Sequence, residues 1–379
     1  MINSKRMGEL FTEFAQIDSE SLDEAEIAGR LKDILTEMGG SVAFDNAGDA
    51  IGGNCSNMVA KFKGNCDAEP LFLSGHMDTV VPGKGVKVIF EDGVFRSDGT
   101  TILGSDDKSA LAIIIEVLKV IQENDLPCPP VELVLTVAEE MGLLGAKHFD
   151  FSMMDSKFGY ILDSTDTEGI VTRAPAANKI AFKVYGKAAH AGAEPENGVN
   201  AIYAAACALS KLELGRIDEV TTTNMGLISG GAATNIVPEF VEIKGEARSH
   251  NPEKLEEVTQ AMVDTVEKTI ADLRGDGEFP KVEAIVEVDF PNTNIPEDHQ
   301  AVTLARKAAG NLGYELESKT IGGGADANIF FGKGIMAGVL GTGMTDVHTL
   351  KESIKMSDME NTARLVLEIL QVHAAGEKN

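Results

Sequence analysis

The stretch "SDGTTILGSDDKSALAIII", Ser97 to Ile115, sets Asp98, Asp106 and Asp107 in a run of Gly, Ser and Thr that leads straight into an apolar helical pattern. A carboxylate at a helix start has an ordinary use. Ser105 or Asp106 can cap the helix, because a side-chain oxygen satisfies orphan backbone N–H groups and an acid suits the positive end of the dipole. A second use, holding a metal, requires that other ligand-type residues recur at comparable places. "LFLSGHMDTV" supplies His76 and Asp78, two apart on an apolar strand and so on one side of it, near its carboxyl end. A metal-bound imidazole donates its other N–H to a carboxylate or carbonyl, the role open to Asp78. "LTVAEEMGLLGAKHF" adds Glu139 and Glu140 at the end of another apolar strand, "GYILDST" puts Asp163 at a third, and "GMTDVHTLKES" offers His348 far downstream. Each alone reads as a solvated terminus or loop. Together they match the rule that ligands bind outside the carboxyl ends of the strands in open α/β sheets.

The elements that must position them follow from periodicity. Residues 9 to 38 read as one amphipathic helix stopped by "MGG". "NMVAKFKG", "PLFLSGHMDTV", "VELVLTVAEE" and "FGYILDST" read as strands, with "SALAIIIEVLKVIQEN" a long helix between the second and third. Such alternation predicts an α/β fold with a largely parallel sheet flanked by helices. Near residue 174 the pattern changes to strand, helix, strand, strand, helix, strand, ending at "KVEAIVEVDF". This predicts an inserted α+β unit of two helices and about four strands. The expected organisation is a first catalytic portion over 1–174, the inserted domain over 175–290 and a second catalytic portion over 291–379. "SDMENTARLVLEILQVHAAG" reads as a closing amphipathic helix with its own cap.

Composition narrows the partners. The 379 residues carry a formal net charge of -27, which argues against nucleic acid, since a phosphate-binding surface needs clustered Lys and Arg. Hydrophobic residues at 43% and charged residues at 25% are ordinary for a globular protein. No apolar run has the length of a signal peptide core or a membrane span, so the expected location is the cytoplasm with no membrane partner. Cys55, Cys66, Cys128 and Cys207 form no CxxC pair and read as plain small residues.

The motifs "SGHMDT", "SDGTTILGSDDKSALA", "AEEMGLLGAK", "ILDS", "HAG" and "GEARSH" resemble, in order and spacing, those of the M20 family of metallopeptidases, and most closely its peptidase T-like branch. The resemblance covers the whole chain. It implies a zinc-exopeptidase-like catalytic domain with an inserted lid and dimerisation domain, and hence a homodimer. It also implies two zinc ions, one held by His76 and Asp163, the other by Glu140 and His348, with Asp106 shared and Asp107 not a ligand. Such donors suit zinc, with cobalt or manganese as substitutes. By the same resemblance Glu139 is the general base that takes a proton from water and passes it to the leaving amine, and Asp78 orients His76. The order Glu139 base, Glu140 ligand follows the family, and the residues alone leave the reverse open. In the lid, His190 corresponds to the histidine that contacts the substrate carbonyl, Asn235 to a lid asparagine, and Arg248 to a group holding the peptide's terminal carboxylate.

The implied function is an aminopeptidase releasing the N-terminal residue of tripeptides or other short peptides. Two alternatives are an M20-type amidohydrolase that deacylates N-acyl amino acids, and a non-catalytic peptide-binding protein stabilised by metal. The run "IGGGADANIF" departs from the Arg and Thr typical of peptidase T at its late glycines, which opens the question of tripeptide specificity. It reads as a tight loop with Asp326 and Asn328 near the substrate. His148, His250, His299 and His373 read as structural or exposed.

Overall fold

The computed structural model describes residues 1–376. The chain forms two compact units. One comprises Met1–Arg173, Asn294–Ile321 and the chain from Ala325 onward; the other comprises Ala174–Thr293 and Gly322–Gly324.

The first unit is built on a mixed sheet whose strands run in the order Ser41–Phe44, Met58–Phe62, Val131–Thr136, Leu71–His76, Phe158–Ser164, Met336–Gly341, Gly169–Ala174. From Val131–Thr136 to Met336–Gly341 neighbouring strands are parallel. Met58–Phe62 and Gly169–Ala174 flank them antiparallel. The expected mostly parallel sheet is therefore present. Its central strands are mostly apolar because both faces are covered, and Leu71–His76 and Val131–Thr136 are buried at every position, Glu132 included. The helix Ser105–Glu123 is likewise buried on nearly all sides, under Ser4–Ala15 and Met356–Ala374. Its run Ile113–Ile115 is inside, each side chain contributing roughly 1.5–3 kcal/mol of burial.

The single opening helix expected over residues 9 to 38 is two helices, Ser4–Ala15 and Ala25–Glu37. The polar run between them bonds outward instead of along a helix axis, as Ser and Asp side chains favour. Ser19 Oγ donates to the Met77 carbonyl at 2.8 Å, Ser21 Oγ to Asp78 at 2.6 Å, and the Gly83 N–H to Glu20 at 2.8 Å. "MGG" does stop the second helix, with Gly39 at a φ of 84°. The closing helix starts at Met356 after Lys355 and has no side-chain cap, contrary to the expectation of one.

The second unit is a five-stranded antiparallel sheet, ordered Gly215–Arg216, Thr221–Gly230, Phe240–Ser249, Ala176–Tyr185, Lys281–Phe290. Period-two alternation sends Ile180, Phe182 and Val184 into one core with Ala204, Ala205, Val266 and Ile270 of the helices Ala201–Leu209 and Pro252–Arg274. Pro252 opens the longer helix where no N–H is missed, and the Asn251 side chain accepts from Glu253 and Lys254.

Candidate metal centre and active site

Parallel strands deliver their carboxyl ends to one edge of the first unit, and the histidines and acids gather there. His76 is the last residue of Leu71–His76, and Asp163 the penultimate residue of Phe158–Ser164. Glu139 and Glu140 follow Val131–Thr136 after a turn in which Ala138 takes a φ of 48°. Donor atoms of His76, Asp106 and Glu140 lie within 4.8 Å of one another, as do those of His76, Asp107 and Asp163. His348, itself at a φ of 63°, sets Nε2 2.8 Å from Glu140 Oε1 and 3.3 Å from Asp106 Oδ2. All five expected ligands are thus brought together, with Asp107 in addition and Glu139 in neither set of three.

The His76 ring is oriented by its Nδ1, which lies 2.9 Å from the Asp78 backbone carbonyl and 3.3 Å from the Asp78 carboxylate. A carbonyl only accepts, so Nδ1 carries the proton. Nε2 then turns a lone pair toward Asp106 Oδ1 at 3.0 Å. Two acceptors at that distance need a shared positive charge between them, from a proton or a cation. Asp78 lies beyond the strand rather than on it, and its carboxylate works more widely than expected. It accepts the backbone N–H of Glu139 at 2.9 Å and of Glu140 at 3.2 Å, as well as the Ser21 hydroxyl.

The electrostatics follow from crowding acids into a buried edge. Burial, then the charge of Asp163, raises Glu139 and Asp107 well above the usual carboxylate range. Burial, then Asp106, pushes Asp163 up to about 8. Burial opposes a charged His76 ring, but hydrogen bonds to Asp106 and Asp78 outweigh it and raise the ring well above its ordinary value. Hydrogen bonds to Asp106 and Glu140 push His348 up to about 10. Burial opposes a charged Asp106, but hydrogen bonds from His348 and His76 outweigh it and hold that acid below the usual carboxylate range. Glu139, Asp107, Asp163 and the imidazoles thus retain protons around one ionised carboxylate because the cluster is short of positive charge. Imidazole nitrogens interleaved with carboxylate oxygens are a donor set that divalent cations fit, and two such ions would discharge it.

Five further residues support the cluster: Asp107, Asp326 and Asn328, which the sequence motifs contain, and Glu352 and Glu24, which no motif announced. Asp107 is fully buried and its Oδ2 accepts the His76 backbone N–H at 3.2 Å. Only glycine at position 75 permits this, since a Cβ there would stand 2.6 Å from that oxygen. Asp326, buried at the start of helix Asp326–Gly332, accepts the Thr136 hydroxyl at 2.6 Å, and burial carries its pKa up to about 6 despite that bond. Asn328 turns back to accept the Ala325 N–H. Glu352 bonds the turn around Asp106. Glu24, fully buried in the break between the first two helices, accepts the N–H of Leu22 and of Ala138. The signal for Glu24 was the polar interruption of helical periodicity; Asp326 and Asn328 were expected in a tight loop and instead open the helix Asp326–Gly332, and Glu352 had no signal within its own segment.

Glu24 provides a pH test of this packing. Burial, then the charge of Asp78, raises it to about 7 from an ordinary 4.5. The folded state therefore holds a proton that the unfolded state has released between these values. Unfolding free energy should fall as pH rises from about 4.5 to about 7, by a few kcal/mol at most. Glu24→Gln, neutral at every pH, should flatten that slope in urea melts of chelator-treated protein. An unchanged slope would assign it to other groups.

The second unit carries His190, Asn235 and Arg248. His190 is exposed, and its Nδ1 accepts the backbone N–H of Gly192 and Ala193 at 3.2 and 3.1 Å. In the neutral ring the proton is then on Nε2, a free donor. The Ala191 N–H donates to the Asn235 carbonyl at 2.9 Å, which ties the two loops together. The Arg248 fork already has a partner: Nε and Nη2 each lie 2.9 Å from a Glu246 oxygen, and Nη1 donates to the Gly322 carbonyl at 3.3 Å. His373 and His299 have structural roles, Nε2 of the first donating to the Glu69 carbonyl and Nδ1 of the second capping helix Gln300–Asn311; His148 is exposed.

An α/β unit with a histidine and carboxylate centre at the carboxyl edge of its sheet has the make-up of a metal-assisted hydrolase. The model of peptidase family M20/M25/M40 matches residues 72–372, and the chain belongs to this family; it is a hydrolase of peptide bonds. The resemblance read from the motifs is borne out. The uncharacterised Bacillus subtilis (strain 168) protein YqjE is 42% identical over 98% of this chain and 99% of its own. A tripeptidase from Staphylococcus aureus Mu50 is 40% identical, covering 99% of this chain and 100% of that one at a TM-score of 0.93. Aminopeptidase PepT from Bacillus cereus ATCC 10987 is 38% identical, covering 98% and 99% at a TM-score of 0.89. Among the described residues no helix is long and apolar enough to cross a membrane.

Proposed function

We propose that the protein is a dinuclear metal exopeptidase that releases the N-terminal residue of tripeptides and other short peptides. The observation that carries this reading is Asp106, whose two oxygens face two different histidines, His76 and His348. A carboxylate so placed suits a bridge between two ions, one completed by His76 and Asp163, the other by His348 and Glu140. The full-length likeness to a tripeptidase and to an aminopeptidase supports the substrate class. Zinc is the ion that the imidazole and carboxylate set favours, with cobalt or manganese able to replace it.

Bound ions would polarise the scissile carbonyl and make water more acidic. The chain supplies the rest. Glu139, held at its backbone by Asp78, takes the proton of the attacking water and delivers it to the departing amine. Asp78 keeps the His76 tautomer fixed. His190 offers an Nε2–H to the oxygen that gains charge as the carbonyl is attacked. Asn235 stands beside it in the same loop pair, as a second polar group toward the substrate. Arg248 reads the peptide's terminal carboxylate, which must displace Glu246 from the fork or bind at Nη1. We also propose a homodimer. Ile202 and Tyr203 of the helix Ala201–Leu209 and Leu227 and Ile228 of the strand Thr221–Gly230 are exposed apolar side chains that a second copy would cover. Four free cysteines fit a reducing, cytoplasmic setting.

The test is a zinc-loaded assay of a free tripeptide, its N-acetyl and C-amide forms, and N-acyl amino acids. The free tripeptide should lose its first residue and the N-acetyl form should be inert. Amidation should cost roughly 1.5–3 kcal/mol in kcat/KM, the scale of a charge-assisted contact. Turnover of N-acyl amino acids alone would make the protein a deacylase.

A further inference from the structure

The helix Ser105–Glu123 starts beside two acids yet uses neither as its cap. Gly104 stands at the cap position with no side-chain bond, and Asp106 and Asp107 have non-helical backbone angles. The cap comes from far away in sequence. Glu352, 2% exposed, accepts the N–H of Leu103 at 2.8 Å and of Gly104 at 2.9 Å on one oxygen. Its other oxygen accepts the Ser105 hydroxyl at 2.6 Å and the Asp106 N–H at 3.2 Å. One carboxylate thus bonds four consecutive residues of the turn that ends at Asp106.

Glu352 is also tied to His348. The Thr349 hydroxyl donates to the Asp346 carbonyl at 2.7 Å and accepts from the Lys351 N–H, and the Glu352 N–H returns to the Thr349 carbonyl at 3.2 Å. This closed turn carries His348 at its left-handed φ, a conformation that a non-glycine residue keeps only when its surroundings enforce it. Glu352 therefore joins the backbone under Asp106 to the backbone under His348.

We infer that Glu352 is a positioning residue for the metal centre, fixing Asp106 relative to His348 while leaving both Asp106 oxygens free of capping duty. The inference rests on the metal-centre reading proposed above. Groups that orient ligands in this way weaken metal binding by about 10–100-fold when lost.

The experiment compares zinc affinity of chelator-treated wild type, Glu352→Gln and Glu132→Gln, by competition with a chromophoric chelator, together with the visible spectrum of the cobalt-loaded proteins. Glu132 is the matched control. It is a buried acid that bonds Asp155, Ser156 and Lys61 at the opposite end of its strand. Glu352→Gln should bind zinc about 10–100-fold more weakly and alter the cobalt spectrum, whereas Glu132→Gln should lose thermal stability but keep wild-type affinity and spectrum. If Glu352→Gln does not fold, Ser105→Ala, which deletes one of the four bonds, should weaken zinc by several-fold. Wild-type affinity in Glu352→Gln, or in Ser105→Ala where that variant replaces it, makes Glu352 a helix cap only; equal weakening in Glu132→Gln does the same. A wild-type protein that binds no zinc overturns the metal-centre reading itself, and this inference with it.

Discussion

Glu139→Gln is expected to leave the protein folded and metal-loaded while lowering kcat by about 100-fold or more. The backbone N–H of Glu139 is anchored by Asp78, and that anchor survives the substitution. Its carboxylate belongs to neither set of three donors, whereas that of Glu140 lies 2.8 Å from His348 Nε2. Glutamine has the same shape and cannot accept the proton of the attacking water. Elemental analysis and tripeptide turnover on one preparation decide the matter. Metal lost together with activity would make Glu139 a ligand and transfer the base role to Glu140.

The parts of this site that could be read from the sequence are those where local pattern and chemistry coincide. Strands that are predominantly apolar lie inside a covered parallel sheet, and polar residues at their carboxyl ends then face the edge where ligands bind. That reasoning reaches His76, Glu140 and Asp163 from their own segments. His348 sits on no strand end; its segment offered it as a histidine far downstream, and the resemblance implied its place as a ligand. A change of pattern near residue 174 was visible in the sequence, because antiparallel alternation differs from the parallel runs around it, and the second compact unit starts at Ala174.

Of the residues that hold these side chains in place, Asp78 was legible and Glu352 and Glu24 were not, for a physical reason. Glu352 bonds Asp106 across 246 positions and Glu24 bonds Ala138 across 114, and neither lies in a pattern that requires a buried acid. The break between the first two helices was read through for a related cause. Its hydrophobic flanks keep helical spacing, and the partners of Ser19 and Ser21, at Met77 and Asp78, exist only in the folded chain. The ordinary cap reading of Ser105 and Asp106 was displaced in the same way, by Glu352.

Asp106 is where the account is most exposed, because it is the one donor assigned to both ions. Asp106→Ala should therefore lose both metals rather than one, and tripeptide hydrolysis should fall to background. His348→Ala, which withdraws a ligand from one side only, should retain about one ion per chain. The most direct measurement is a zinc titration of chelator-treated wild-type protein that follows bound metal and tripeptide turnover together. Two ions per chain are expected at saturation, with no activity before metal is added and full activity only as the second ion binds. Full activity at one ion per chain, or turnover untouched by chelation, would contradict the two-ion centre.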